Sequence, residues 1–381
     1  MRTPPLNSLN IDKVDVFVFR APIVAPVRTS FGEMHDRPAV FVRVTDKDGS
    51  VGWGEVWCNF PACGADHRAN LVELVMGPLL QGHSFHGPAE VFAHLSRHTA
   101  VLAIQSGEPG PIAQAIAGVD LALWDLCARR AGQPLWRYLG GQSGNIGVYA
   151  SGINPDQPQD TISACQHEGH TAFKLKIGFG QDKDLSNLAG IRHQFGNDLH
   201  LMVDANQAWT FNEACDMAHR LGEFGLSWLE EPLRADSPAD EWNTLAAVCS
   251  MPLAAGENVI GEREFMAMVN HVPINVVQPD IAKWGGISGC WPVIQAIQAK
   301  GKRYCPHYLG AGVGLLASAH LLAAVGGNGL LEIDSNPNPL RSDLAVSLRN
   351  IAGGTADLGE MPGIGVPVDL ERQISMHLAS R

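Results

Sequence analysis

The chain has 381 residues, 45% hydrophobic and 17% charged, enough apolar material for a large core. Its 27 basic and 39 acidic residues give a formal net charge of −12, and no basic stripe stands out, which argues against nucleic acid as a partner. Eight scattered cysteines without CxxC spacing fit reduced thiols better than a disulfide framework or a zinc site.

The opening residues lack a basic stretch, a clean apolar run and a small-residue cleavage site, so no leader is expected. No 18-residue apolar run is read, so no membrane span is expected either, and the cytoplasm is the expected location. Residues 12–60 read as strands and turns. "VDVFVFRAPI" and "AVFVRVTDKDGSVGWGEV" alternate apolar and polar positions, with Asp48-Gly49 as a hairpin signal. Over 68–140 the periodicity turns helical, and "GPIAQAIAGVDLALWDLCARRAGQPLWRYLGG" predicts a long amphipathic helix stopped at glycine. Strands followed by helices predict an α+β unit over residues 1–140.

After Gly141 short apolar segments alternate with helix-like stretches. The strand candidates are 147–152, 172–178, 199–206, 225–232, 252–258, 275–280, 302–308 and 329–334. Such alternation predicts a parallel sheet, and eight units in about 190 residues fit a closed (β/α) barrel. An open doubly wound sheet is the rival, without a GxGxxG or P-loop to support it. The fold class is therefore α/β, with the barrel over 141–335. Residues 336–381 read as loops and a short strand returning to the first unit.

The candidate strands from the second to the eighth each end in something ionisable: Lys174 and Lys176, Asp204, Glu230 and Glu231, Glu257, Asp280, His307 and Glu332. From Lys176 onward these recur every 23 to 28 positions, one βα unit each time. In a parallel barrel all the C-terminal strand ends face one rim, where active sites sit. Any one acid there is as well explained as a helix cap. Three acids flanked by bases on both sides are not. Asp204, Glu230 and Glu257 would repel one another without a cation between them. An oxygen-only donor set points to a hard ion, Mg²⁺ first and Mn²⁺ second. In "AFKLKIGFG" the alternation places Lys174 and Lys176 on one face and Phe173, Leu175 and Ile177 on the other. Lys174 beside a dication is expected to lower the pKa of Lys176 and make it a base. Asp280 bonded to one nitrogen of His307 would orient a second base.

These pieces resemble the enolase superfamily, and within it the mandelate racemase-like subgroup (mandelate racemase/muconate lactonizing enzyme family). The matching motifs are K-L-K at 174–176, D-A-N at 204–206, E-E-P at 230–232, G-E-N at 256–258, Q-P-D…K-W-G-G at 278–286, C-P-H at 305–307 and L-E at 331–332. The resemblance covers nearly the whole chain. It implies a modified TIM barrel, (β/α)7β, with an α+β capping domain built from both termini and a mobile substrate loop near 22–34. It implies metal ligation by Asp204, Glu230 and Glu257, one base at Lys176, and another at His307 with Asp280. Lys174 and Asn206 would contact the substrate, and Glu332 would hydrogen-bond an enediolate intermediate. Glu231 and Asn258 would neighbour the metal ligands, and Lys283 would be a supporting residue.

The implied chemistry is Mg²⁺-dependent removal of the proton α to a carboxylate of a small-molecule substrate. Dehydration of a sugar acid, an aldonate or aldarate, to a 2-keto-3-deoxy acid is the expected outcome. The alternatives are racemisation or epimerisation of a mandelate-type 2-hydroxy acid and, from another class, a non-catalytic metal-binding barrel. A symmetric homo-oligomer is also implied. Specificity is expected in the segments 22–34 and 58–66, with Arg28, Ser30 and His35 as candidate contacts.

Overall fold

The computed structural model describes residues 8–29 and 32–379. Its first part is a three-stranded antiparallel sheet of β1 (Ile11–Thr29), β2 (Gly32–Asp46) and β3 (Val51–Val56). The Asp48-Gly49 signal becomes the β2–β3 turn, where Gly49 holds φ +85°, a conformation glycine adopts without strain. β1 and β2 pair over most of their length, so much of the segment 22–34 is a long hairpin arm rather than a loop. Helices over 64–106 cover one face of the sheet, and the helix Pro109–Arg130 lies beneath it.

That helix differs from the amphipathic expectation. Every residue from Gln114 to Ala128 is buried, because the sheet presses on one side and the barrel on the other. By length and composition it could cross a membrane, yet 89% of its most apolar window is buried inside the protein. Gly52 and Gly54 of β3 permit the contact. A Cβ on either would stand 2.1 Å from the Ala122 carbonyl oxygen or 2.0 Å from that of Gly118.

The second part is a nearly closed sheet of eight parallel strands. They are β4 (Asn145–Ile153), β5 (Ala172–Lys176), β6 (His200–Asp204), β7 (Leu229–Glu230), β8 (Leu253–Ala255), β9 (Val276–Val277), β10 (Arg303–Tyr304) and β11 (Leu330–Asp334). Their order is β10-β9-β8-β7-β6-β5-β4-β11. A helix follows each strand from β4 to β10, giving the (β/α)7β pattern. β7, β9 and β10 are only two residues long, far shorter than their apolar segments, because the chain leaves the ladder where its ionisable residues turn onto the rim.

Side-chain alternation sorts the barrel. Outward-facing Phe173, Leu175, Val203 and Leu229 join the core shared with the helices. Inward, Tyr149, Ala172, Met202, Trp228, Ala254, Val276 and Cys305 plug the base. Burying each large apolar side chain here is worth roughly 1.5–3 kcal/mol. The last segment adds β12 (Thr355–Asp357), antiparallel to the start of β4. It then runs past the first part, where the Ile364 amide donates to Asp125 and Trp53 Nε1 donates to the Val368 carbonyl.

Candidate active site

The register of adjacent strands builds a charged row. Lys176 of β5 lies opposite Asp204 of β6, and Asp204 opposite Glu230 of β7. Glu257 follows two residues after the end of β8. The backbone is sharply turned beside this row: Asn206, Gln207 and Glu231 hold φ of 43°, 62° and 39°. Left-handed non-glycine residues are uncommon and concentrate at functional sites.

Lys174 is 0% exposed. Its Nζ lies 2.5 Å from Glu230 Oε1 and 2.7 Å from Glu332 Oε1, with Tyr149 beneath it at 5.4 Å from the ring centroid. Lys176 Nζ sits 2.5 Å from Asp204 Oδ2. His307 Nδ1 is 2.7 Å from Asp280 Oδ2, and its Nε2 is 3.0 Å from Glu257 Oε2. Lys283 Nζ donates to Glu257 Oε1 at 3.0 Å and Asn258 Oδ1 at 3.1 Å. Glu332 also accepts from the Ser151 hydroxyl and, at 3.2 Å, from the Tyr308 amide.

The expected lowering of the Lys176 pKa is not what this arrangement produces. Burial, the largest single influence, pulls it down and Lys174 repels it, but Asp204 together with Glu230 and Glu332 outweighs both, and the net shift is upward. His307 behaves alike. Burial lowers it, Glu257 and Glu332 raise it, and the imidazole is pushed up to about 10. Lys176 and His307 are thus each held protonated by an acid beside them. Each becomes a free base only when that acid has another positive partner.

The site is short of such partners. Asp204, Glu230, Glu231, Glu257, Asp280 and Glu332 are all buried: six carboxyl groups face Lys174, Lys176, Lys283 and His307, four cations at most. The imbalance shows on Glu230, which burial and repulsion from Asp204 and Glu332 push up to about 7 despite Lys174. Burial, Glu257 and Asp204 drive Glu231 well above the usual carboxylate range. Glu257 Oε2, buried, makes no well-formed hydrogen bond. Among the described residues no three acidic, His or Cys side chains close on one point as ligands, because Asp204, Glu230 and Glu257 are each drawn onto a different protein cation. Two uncompensated acids and an oxygen-only trio fit a hard dication held by Asp204, Glu230 and Glu257.

A cavity of about 230 Å³ opens above the row. Lys176, Asn206, Glu257 and His307 line it, as do Lys283 and Asn258. Lys174 and Glu332 do not. They lie behind the lining, Lys174 paired with both Glu332 and Glu230, so the expected direct substrate contacts of these two do not follow from this geometry. Asp204, Glu230 and Asp280 are likewise behind the lining. The first part of the chain roofs the cavity with Val27, Trp57, Asn59 and Phe60. Asn59 Nδ2 donates to the Leu309 carbonyl. His35 is exposed and does not line the cavity. Ser30 and the Arg28 side chain lie outside the described residues.

Sequence reasoning missed Asn154, Gln207, Leu309 and Asn336, which also line the cavity. Asn154 and Asn336 did leave a signal. Each is the Asn of an Asn-Pro pair within two residues of the end of the first or eighth strand, a turn signature at the rim.

Residues 13–140 match the model of the mandelate racemase/muconate lactonizing enzyme N-terminal domain, and residues 159–373 that of the enolase C-terminal domain-like family. The chain belongs to the mandelate racemase/muconate lactonizing enzyme family of the enolase superfamily. A D-galactarolactone cycloisomerase of Agrobacterium fabrum is 30% identical over 349 residues, 87% of this chain and 89% of that protein. The crystal structure of a mandelate racemase/muconate lactonizing enzyme from Bordetella bronchiseptica is 56% identical, with a TM-score of 0.92 over 97% of this chain and 99% of that one. The L-talarate/galactarate dehydratase of Salmonella typhimurium, crystallised with Mg and L-lyxarohydroxamate, has a TM-score of 0.81 and 25% identity over 96% of this chain and 92% of its own. Other relatives bear the names of dehydratases, epimerases and racemases. Neighbours crystallised with magnesium support a Mg²⁺-dependent mechanism for the superfamily, and the names of the relatives include lyases and isomerases.

Proposed function

We propose that this enzyme removes the proton α to the carboxylate of a small acid, with Mg²⁺ as cofactor, and that its reaction is dehydration of a sugar acid to a 2-keto-3-deoxy acid. One observation carries the reading: Lys176 and His307, from strands nearly across the ring, line the same cavity with the carboxylate row between them. When bound, the ion supplies Lewis-acid charge at the substrate carboxylate. Asp204, Glu230 and Glu257 would hold it. Lys176 takes the α-proton from one face. His307, oriented at Nδ1 by Asp280, returns a proton at Nε2 or gives it to the departing β-hydroxyl. Lys174 fixes Glu230 and Glu332 from below.

Of the fifteen lining residues, Asn59, Asn154, Asn206, Gln207, Asn258 and Asn336 carry amides. Amides both donate and accept, and so suit a ligand with several hydroxyls. The apolar roof of Val27, Trp57, Phe60 and Leu309 favours the second reading, racemisation of a 2-hydroxy acid of mandelate type.

A screen of aldonates, aldarates and mandelate with MgCl₂ in D₂O separates the two. Formation of a 2-keto product marks a dehydratase. Deuterium uptake at the α carbon without keto product marks a racemase or epimerase. Silence across the whole library in both readouts rejects proton abstraction from these acids.

A further inference from the structure

The two segments that carry Asp280 and His307 are gripped from outside the barrel. Glu55, near the end of β3, is 2% exposed. Its Oε1 accepts from the Ala311 amide at 2.6 Å and its Oε2 from the Gly314 amide at 2.8 Å, at the start of the helix Gly312–Val325. Asp120, on the helix Pro109–Arg130, is 1% exposed. Its Oδ2 accepts from the Ile287 amide at 2.7 Å and the Ser288 amide at 3.0 Å, at the start of the helix Gly286–Ala299. One helix follows His307 and the other follows Asp280.

Local sequence does not cap these helices. Their N-cap residues are Ala311 and Gly285, neither with a side-chain cap bond. The helix after Asp204 manages alone, through the Thr210–Glu213 capping box. The chain is shaped for the distant acids. A Cβ on Gly286, which holds φ +55°, would stand 2.3 Å from Asp120 Oδ2. A Cβ on Gly310 would stand 2.8 Å from Glu55 Oε1 and 2.4 Å from the Tyr308 hydroxyl. Among the described residues neither acid meets a cation, and burial, opposed only by hydrogen bonds, pushes each up to about 7. An unpaired buried carboxyl is costly, more than a plain helix cap from a local Ser or Thr would require.

We propose that Glu55 and Asp120 are positioning residues that fix the His307–Asp280 dyad by anchoring the two helices that follow it to the capping domain. The inference rests on reading His307 as a base. Among the described residues the lysine strand has no such tie, since the partners of Lys174 and Lys176 there come from barrel strands.

Peptide-resolved hydrogen–deuterium exchange on the full-length protein tests this. In Glu55→Gln the amides of 305–316 exchange roughly tenfold faster, and in Asp120→Ala those of 281–290 do, as expected for loss of one cap. Residues 172–178 and the affinity for MgCl₂ alone, read by calorimetry, stay as in the parent. On D-galactonate, galactarate or mandelate, whichever the parent accepts, kcat falls about tenfold to a hundredfold while KM holds. Asp120→Asn keeps an oxygen able to accept both amides and retains more activity than Asp120→Ala. Unchanged exchange in both segments overturns the anchoring. Equal loosening of 172–178 overturns its selectivity, and faster exchange with unchanged kcat overturns the positioning role. A parent inert toward all three acids counts against the proton-abstraction reading instead, and the exchange measurement still decides the anchors.

Discussion

The lysine wall and the histidine wall of this site are built by different means. Lys174 and Lys176 sit on one regular strand, and register alone places Lys176 beside Asp204 and, one strand on, Glu230, which Lys174 reaches from the row below. Asp280 and His307 sit in irregular segments beyond two-residue strands. Their support comes from Glu55, Asp120 and Asn59 in the capping domain. The barrel thus suffices to place Lys176, whereas the placement of His307 depends on domain packing. A strand transmits its own order along the ladder, but a loop needs its backbone groups satisfied from outside.

The sharpest way to break this contrast is to remove one base at a time. Lys176→Met is expected to lower turnover by about a thousandfold, within the range general-base removal produces, while leaving exchange in 281–290 and 305–316 as in the parent. Loosened histidine segments in that variant would mean the walls are not independent. Lys174→Met strikes the lysine wall at its foundation, leaving Glu230 and Glu332 without their buried cation. Loss of one partner of a buried pair costs about 3–5 kcal/mol, to be read as a shift in the urea midpoint. A cost below 1 kcal/mol would show that the two acids simply take up protons.

The carboxylate row joins the walls, so a metal should act on both. Millimolar MgCl₂ is expected to raise the melting temperature, by linkage worth about 2.7 kcal/mol at a hundredfold excess over Kd. EDTA should abolish turnover, and Glu257→Gln should weaken the stabilisation. Equal stabilisation of Glu257→Gln and parent would remove Glu257 from the ligand set.

The smallest expected effect concerns the histidine side of the barrel's exterior. His320, on the helix that Glu55 caps, accepts from the Trp136 amide at 3.1 Å. Burial pulls its pKa from 6.5 to about 3, against a hydrogen bond to Ile364 that raises it. The unfolded chain therefore binds the proton first as pH falls. Stability is complete above about 6.5 and declines toward pH 3. His320→Gln should flatten that slope in a denaturant series at several pH values, and an unchanged slope would assign the acid sensitivity elsewhere.

Much of the site was legible because it recurs at βα spacing. The repeat from Lys176 to Glu332 marks the rim residues in the sequence itself. The pKa direction of Lys176 was not legible, since it turns on a 2.5 Å approach to Asp204 that composition cannot reveal. Lys174 and Glu332 were named from the same repeat, yet only the layering of the barrel interior shows that they lie below the cavity. Glu55 and Asp120 carried no local signal at all. "GWGEV" reads as an alternating strand and "GVDLALWDL" as a helix face, and their partners lie 256 and 167 positions away.

By itself the sequence determined the order of strands and helices, the family, and which ionisable groups share a rim. The order and the shared rim follow from periodicity, which each segment carries within a few residues, and the family follows from the resemblance of its motifs. Only the tertiary structure decided which acid holds which base protonated, which residues reach the cavity, and that the capping domain anchors half the site. These depend on distances of a few ångströms between segments far apart in the chain, where burial and charge set the energies.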